Sequence, residues 1–144
     1  MFRTVPRALL PGFAALALNA CSPDGVAGPP DTVLLTQASP TKVVMQALFE
    51  GRVDRDEQGC LRLDSQDRHT VVWPFGFTLV RRDGGLYVRD AFRRDIGRIG
   101  GPFRFGGGEV PTVEGADLPA GKRELAESRC PGRYWVVGAT NLKQ

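Results

Sequence analysis

The sequence contains a single histidine, His69, and this scarcity narrows the chemistry open to the chain. A nucleophilic triad needs a histidine base beside a nucleophile, and no G-x-S-x-G motif marks a serine for that role. Glu109 is a candidate functional carboxylate, but one acid without a second partner cannot be assigned a glycosidase role. We therefore expect His69 to be a surface or half-buried residue, and we predict no catalytic residue.

Motifs for metals, phosphates and cofactors are also missing. The three cysteines include no C-x-x-C pair, which disfavours a zinc site and a closely spaced redox site. Residues 54–59 begin like a calcium loop, but the twelfth position is Ser65, where a bidentate glutamate is required, so we expect a hairpin turn. The run Gly106–Gly108 matches neither common phosphate-binding pattern. The sequence therefore predicts no metal and no cofactor.

Neither sign of charge is in clear excess once the amino-terminal segment is set aside. The whole chain has 19 basic and 16 acidic residues. Without Arg3 and Arg7 the basic count falls to 17, which leaves a net charge of +1. A near-neutral domain lacks the basic surface that duplex nucleic acid requires, so we expect no nucleic-acid partner.

The amino-terminal segment has the parts of an export signal. Arg3 and Arg7 supply positive charge, and an apolar stretch of 11 residues, Ala8–Leu18, follows them. That stretch is much shorter than the ~20 residues that a membrane-spanning helix needs. Its length suits a secretory signal peptide. Residues 1–20 are therefore predicted to be a signal peptide.

The residues at the end of this segment, Leu18-Asn19-Ala20-Cys21, resemble the lipobox of bacterial lipoproteins. The resemblance implies that Cys21 receives a diacylglycerol, that the signal is cut before it, and that the new amine is acylated. Several acyl chains anchor a protein stably, whereas one chain does so only marginally. Ser22, in place of the Asp typical of inner-membrane retention, implies the outer membrane or the cell surface. The alternative is an ordinary signal peptide that happens to carry a cysteine.

The two remaining cysteines, Cys60 and Cys130, form a pair if Cys21 is acylated. An exported domain meets an oxidising compartment, where cysteine pairs are commonly oxidised. We therefore predict a disulfide between them, with a separation of 70 residues along the chain. The alternative is two buried free thiols.

A tether is predicted over residues 21–42, which are rich in Pro, Gly, Ser, Asp and Thr. Val33–Leu35 interrupts this composition. We favour a short apolar segment within a linker over a short edge strand or a patch packed on the domain. The folded domain is predicted over residues 43–141, a length sufficient for one core.

The pattern of that domain predicts an all-β fold. The 18 glycines and 11 prolines of the whole chain suit short strands joined by turns and disfavour long helices. Leu61 and Leu63 alternate with polar neighbours, as in a strand with one buried face. We predict five to seven short strands, a helical stretch over residues 122–128 before the last strand, and a bulge or bend at Gly106–Gly108. A small Greek-key barrel of the OB type is the favoured architecture.

Four segments together resemble a small domain of uncharacterised bacterial lipoproteins. They are Cys60-Leu61-Arg62-Leu63, Val72-Trp73-Pro74-x-Gly76-Phe77, Gly106-Gly107-Gly108-Glu109-Val110-Pro111 and Cys130-Pro131-Gly132-x-Tyr134-Trp135-Val136-Val137-Gly138. The resemblance covers about two thirds of the chain. It implies a compartment and domain limits, and it brings no activity.

Trp73, Phe75 and Phe77 form the densest aromatic cluster, broken by a proline and a glycine. Core packing around a rigid bend is favoured because aromatic residues are usually buried. The alternative is a ligand surface, which the basic residues Arg81 and Arg82 would extend.

These observations favour a non-enzymatic lipoprotein of the cell envelope, whose β-barrel domain binds a protein or a glycan. The partners predicted are thus the bilayer, through Cys21, and an envelope protein or glycan. The alternative is a small enzyme or accessory domain acting on the cell wall, with Glu109, Asp90 or His69 in a cleft.

The substitution Cys21→Ser tests the anchor. We expect it to abolish lipidation, because serine offers no thiol for the diacylglycerol, and to leave the protein unprocessed or soluble. Mass spectrometry and membrane fractionation measure both effects. A variant that remains in the membrane with an unchanged mass would contradict the prediction.

Overall fold

A computed structural model describes residues 31–40 and 45–140 of the chain. The predicted signal peptide, the predicted acylation site Cys21, the first part of the predicted tether and both predicted limits of the domain lie outside these residues. Within the described residues, no helix is long and apolar enough to cross a membrane.

The described part of the chain consists mainly of β-strands, which confirms the all-β prediction. Its elements are β1 (Leu35–Thr36), β2 (Ala47–Arg55), β3 (Leu61–Leu63), β4 (Thr70–Trp73), β5 (Thr78–Arg82), β6 (Gly85–Arg89), β7 (Asp95–Arg98), β8 (Pro102–Val110), a 3₁₀ helix (Val113–Ala116), α1 (Ala120–Arg129) and β9 (Tyr134–Ala139). The helix predicted before the last strand is confirmed as α1. The described residues contain more strands than the predicted five to seven, because β1 lies in the predicted tether and β5, β6 and β7 form a sheet of their own.

Five strands form a closed ring of hydrogen-bonded pairs in the order β2, β3, β4, β9, β8 and back to β2. The pairing of β4 with β9 is parallel, and the other four pairings are antiparallel. Strand β1 also runs parallel to β4. An OB-type barrel is likewise made of five strands, so this ring is the part of the molecule that the predicted architecture describes.

Side chains from the ring strands and from a second sheet, made of β5, β6 and β7, together form an aromatic core. Trp73 is fully buried, and its ring centroid lies 5.5 Å from that of Phe105, 5.7 Å from Phe103 and 6.1 Å from Phe77. The alternating burial of Leu61–Leu63 adds two leucines to the same cluster. Aromatic side chains of this size bury about 150–250 Å² each, so they supply much of the driving force for folding.

The second sheet, with strand order β5, β6, β7, packs on this core through Val88, which is fully buried. Its first hairpin turns at Asp83 and Gly84, with φ of 49° and 71°. These positive φ values match the two-residue turn that the Asp-Gly-Gly signal predicts. At Gly97 the ring of Phe103 lies so close that an added Cβ would come within 2.6 Å of it. The contact between the two sheets therefore requires a glycine there.

Residues 33–37 belong to the fold, so the favoured interpretation of Val33–Leu35 as an apolar segment within a linker is wrong. Val33 and Leu35 are 5% and 1% exposed. The backbone N–H of Val33 donates to the carbonyl of Gly59 at 2.8 Å. Lys122 Nζ donates to the carbonyl of Leu34, also at 2.8 Å. The segment folds because its apolar side chains fill the space beside β4 and its backbone polar groups find partners.

The predicted disulfide is confirmed. Cys60 and Cys130 are bonded, with their Cα atoms 5.7 Å apart, and both residues are fully buried. Cys60 immediately precedes β3 and Cys130 follows α1, so the bond ties the helix to the strand ring. A second core cluster surrounds it, made of Val33, Leu35, Val72, Val110, Val113, Ala116, Leu118, Ala126, Tyr134 and Val136.

The glycine run in β8 contains the predicted bulge. The pairing of β8 with β9 shifts register between Gly106 and Gly107. A Cβ on Gly107 would collide with the carbonyl oxygen of Val136, and it would come within 2.6 Å of Trp135 Nε1. The close approach of the two strands explains why a side chain is absent at this position.

Removing the disulfide by the double substitution Cys60→Ala and Cys130→Ala tests its contribution to stability. We expect the free energy of unfolding to fall by up to about 4 kcal/mol, because a crosslink across 70 residues restricts the unfolded chain. Urea denaturation of both proteins measures the difference. An unchanged midpoint and slope would show that the crosslink does not stabilise the domain.

Candidate functional site

The structure brings His69 and Glu109 together, although 40 residues separate them along the chain. His69 immediately precedes β4 and Glu109 lies in β8, on either side of β9. The imidazole Nε2 lies 2.8 Å from Glu109 Oε2, and because an ionised carboxylate only accepts, Nε2–H is the donor. The His69 ring also packs edge-on against Trp135 of β9, with centroids 6.1 Å apart.

Two further charged residues complete this cluster, and sequence reasoning missed both. Arg133 Nη1 donates to Glu109 Oε1 at 2.7 Å. A carboxylate oxygen of Asp67 lies within 4.8 Å of the ligand atoms of His69 and Glu109. Asp67 lies two residues before His69, but no local spacing links this pair with Glu109 or Arg133, because they come together only when β4, β9 and β8 are paired.

The contacts among His69, Glu109 and Arg133 suit a structural link between neighbouring strands. Both oxygens of Glu109 are engaged, one by His69 and the other by Arg133. The remaining imidazole nitrogen, Nδ1, is buried and has no hydrogen-bond partner among the described residues. A general base must reach its substrate, and this nitrogen does not reach the surface. A cation bound by His69 Nε2 and Glu109 Oε2 would have to break the hydrogen bond that joins them, beside the positive charge of Arg133 on the same carboxylate, so the cluster is poorly suited to hold a metal.

The predicted aromatic surface is divided by the fold. Trp73 and Phe77 are core residues, 0% and 9% exposed, which confirms the favoured core packing and excludes these two from the alternative ligand surface. Both pack in the aromatic core because a tight turn between them reverses the chain. In that turn the N–H of Phe77 donates to the carbonyl of Pro74 at 3.3 Å, and Gly76 has a φ of +83°. Phe75, at the outside of the turn, is 50% exposed.

A second exposed phenylalanine, Phe92, comes from the loop between β6 and β7. It is 79% exposed. Asp90 orders the loop from within: its Oδ1 accepts from the backbone N–H groups of Phe92 and Arg94, at 2.9 and 2.8 Å. Arg94 Nε donates to the other oxygen, Oδ2, at 2.7 Å. The sequence carried no signal for Phe92, since a lone aromatic residue in a turn is ordinary.

The loops that carry Phe75 and Phe92 enclose a groove of about 220 Å³, here called the phenylalanine groove. Pro40, Pro74, Phe77, Asp90, Ala91, Arg94, Gly138 and Thr140 complete its lining. The guanidinium of Arg94 lies 5.3 Å above the ring of Phe92, a favourable contact between a cation and an aromatic face. The site therefore combines exposed aromatic surface with a carboxylate whose two oxygens already accept hydrogen bonds.

Arg81 and Arg82 do not line the phenylalanine groove, so they do not extend that site. Both lie at the end of β5, where Arg82 Nη1 pairs with Asp95 at 2.6 Å. The guanidinium of Arg82 also lies 4.7 Å from the ring of Tyr87. The three-stranded sheet carries them to a separate part of the surface.

The Asp90 carboxylate gives the phenylalanine groove a dependence on pH. Burial alone would raise the pKa of Asp90, but the hydrogen bonds from Arg94 and Phe92 outweigh burial and lower the pKa below its ordinary value. The folded state thus favours the ionised carboxylate. The stability that this provides is present above the ordinary pKa and is lost as the pH falls through the lowered one.

We expect the free energy of unfolding to decrease as the pH falls below about 4, and Asp90→Asn to show a smaller decrease. Urea denaturation between pH 2 and pH 6 measures both slopes. The control is Asp83→Asn, because the Asp83 side chain is 81% exposed. An Asp90→Asn variant with the slope of the unsubstituted protein would contradict the assignment.

Comparison with known proteins adds no relative from which a function could be transferred. A scan of protein-family models finds no match to the chain. Searches of curated proteins and of solved structures likewise find no match. The predicted membership among bacterial lipoproteins stays a prediction, and the functional argument depends on the chemistry of the sequence and the geometry of the fold.

Proposed function

We propose that this chain is an exported protein of the cell envelope, lipid-anchored at Cys21, whose folded domain is a non-enzymatic module that binds another envelope protein. The export signal and the lipobox-like residues support the compartment. One structural observation carries the binding function. Three large apolar side chains of the described residues are exposed, and two of them, Phe75 and Phe92, flank the same groove.

Exposed aromatic side chains beside a pocket are typical of protein interfaces. Aromatic residues and arginine are enriched at such interfaces, and the residues that dominate affinity cluster at pockets. Burying one phenylalanine on association is worth about 1.5–3 kcal/mol of apolar transfer free energy. A groove of about 220 Å³ has room for one or two apolar side chains of a partner.

The polar groups of the groove favour a protein partner over a glycan. A sugar needs hydrogen-bonding groups that are free to meet its hydroxyls, and the Asp90 carboxylate already accepts three hydrogen bonds. Its side chain is only 2% exposed. The Arg94 Nε–H is committed to that carboxylate. An apolar side chain of a partner would pack on the two exposed rings without breaking these hydrogen bonds.

The alternative, a small enzyme acting on cell-wall glycans, has less support. Of its three candidate residues, His69 and Glu109 contact each other and Asp90 serves the loop of the phenylalanine groove. With Nδ1 of His69 inaccessible and Glu109 engaged by His69 and Arg133, Asp67 is the remaining carboxylate of that cluster, and one acid without a second partner does not make a glycosidase site.

Site-specific photo-crosslinking in living cells tests the binding function. The photoreactive amino acid p-benzoylphenylalanine is introduced in place of Phe75, Phe92 or Leu48, one at a time. Leu48 is the matched control, because it is 50% exposed, as Phe75 is, and does not line the groove. We expect one discrete protein adduct from positions 75 and 92 and none from position 48. The same adduct from all three positions, or none from 75 and 92, would contradict the proposal.

Affinity measured with the purified partner then tests the energetics. We expect the double substitution Phe75→Ala and Phe92→Ala to weaken binding about a hundredfold, since each ring contributes roughly 1.5 kcal/mol. Leu48→Ala should leave the affinity unchanged. Equal affinities for the two variants would place the interface elsewhere.

A further inference from the structure

Strand β5 is an edge strand of the three-stranded sheet. Within the described residues it pairs only with β6, whereas β6 also pairs with β7. An edge strand carries backbone N–H and C=O groups that no neighbour in the sheet satisfies, and these groups can pair with a strand of another chain. With five residues, Thr78–Arg82, β5 has the usual length of a strand. It is therefore long enough to receive an added strand.

The register of the sheet shows which backbone groups of β5 point outward. Arg81 lies opposite Leu86 of β6. The carbonyl of Leu86 accepts from the N–H of Ile99 at 2.8 Å, so Leu86 turns its backbone groups toward the β7 side and away from β5. Residues opposite each other in an antiparallel pair bond either to each other or outward. The N–H and C=O of Arg81 therefore point to the free edge, as do those of Leu79 two residues earlier, and the described part of the chain offers them no backbone partner.

The phenylalanine groove lies at the amino-terminal end of the same strand. Phe77 lines the groove and immediately precedes β5, and Phe75 lies two residues before Phe77. An extended segment advances about 3.3 Å per residue. A segment of about eight residues is therefore long enough to pair with all of β5 and still reach the groove with one of its side chains.

The three-stranded sheet is the basic part of the chain. Residues 78–98 contain six arginines and three aspartates, a net charge of +3. The chain from Cys21 onward has a net charge of +1, so its other residues carry −2. At the free edge itself, Arg81 has no carboxylate within 4.0 Å among residues 31–40 and 45–140. This charge attracts an acidic segment and repels the same sheet of a second copy.

We propose that the protein partner binds through an extended acidic segment, which pairs with the free edge of β5 and places an apolar side chain in the phenylalanine groove. This inference rests on the proposed function and specifies the form of the partner. Main-chain hydrogen bonds to Leu79 and Arg81 hold the added strand, and the groove selects its side chain. A helix that filled the groove would leave the edge of β5 unpaired.

Hydrogen exchange of the full chain tests this pairing. The chain is purified in a neutral detergent, both free and as the covalent adduct that p-benzoylphenylalanine at position 92 forms in cells. Mass spectrometry with electron-transfer fragmentation resolves the exchange of single backbone amides. We expect the amides of Leu79 and Arg81 to exchange at least about tenfold more slowly in the adduct than in the free chain. The amides of Val80 and Arg82, which face β6, should exchange at unchanged rates.

The substitution Arg81→Pro removes the outward N–H from the edge. Proline is tolerated in an edge strand where the missing N–H would face solvent. We expect the yield of the position-92 adduct to fall at least about tenfold, because the proline lacks the donor and its ring obstructs the added strand. The control is Ala120→Pro at the first residue of α1, an exposed position where proline is also tolerated. Slow exchange of the β4 amides shows that each variant is folded.

The substitution Arg81→Gln tests the acidic character of the segment, because it keeps the backbone N–H and removes the charge. We expect the adduct yield to fall about two- to fivefold, since an exposed ion pair contributes only modestly to binding. Arg123→Gln removes the same charge from an exposed position in α1 and should leave the yield unchanged.

Each other outcome overturns the inference. Slow exchange of the Leu79 and Arg81 amides in the free chain would show that the chain covers its own edge. Unchanged exchange at these amides in the adduct, or equal adduct yields from Arg81→Pro and Ala120→Pro, would show that the partner does not pair with β5. Equal yields from the two glutamine variants would make the acidic segment wrong. These results leave the proposed function intact, whereas the absence of any adduct from position 92 refutes the proposed function itself.

Discussion

The parallel pairing of β4 with β9 joins the early and late parts of the folded chain, through Thr70–Tyr134, Val71–Trp135 and Val72–Val136. All four residues of β4 are buried, and the strand also pairs with β1 and β3. Without this contact the other strands would form an open sheet with two edges, and Trp73 would lose its enclosure. The phenylalanine groove depends on the same closure, since the turn that exposes Phe75 follows β4 directly and the second sheet, which carries Phe92 in the loop before β7, packs on the core around Trp73.

Several carboxylates that resemble functional groups serve as structural links around this ring. Asp56 accepts hydrogen bonds from the backbone N–H groups of Gln58 and Cys60 and from Arg62 Nε. Burial would raise the pKa of Asp56, but these bonds outweigh burial and lower it. The acidic stretch that begins like a calcium loop is therefore a hairpin turn held by its own carboxylate. Asp90 does the same for the loop of the phenylalanine groove.

Sequence reasoning predicted two kinds of feature. Some depend on a local residue pattern, and one, the disulfide, depends on cysteines that have few possible partners. The alternation at Leu61–Leu63 predicted a strand, the glycine run in β8 predicted a bulge, and two leftover cysteines predicted a disulfide. It failed where residues meet only through tertiary pairing. The contact of His69 with Glu109 requires β9 between them, and Val33–Leu35 is too short to show a period. The phenylalanine groove joins Phe75 and Phe92 from two loops whose convergence has no signature in either loop.

The route by which the amino-terminal segment enters the fold has a mechanical consequence. Val33 bridges to Cys60, and Arg129, the neighbour of Cys130, donates to the carbonyl of Asp31 at 3.0 Å. A pulling force applied to the chain before Asp31 is therefore transmitted to residues beside a covalent crosslink. The load reaches Cys60 and Cys130 before it reaches the aromatic core. Such an attachment directs tension applied at the entry point of the domain toward the crosslink and away from the strands beside the phenylalanine groove.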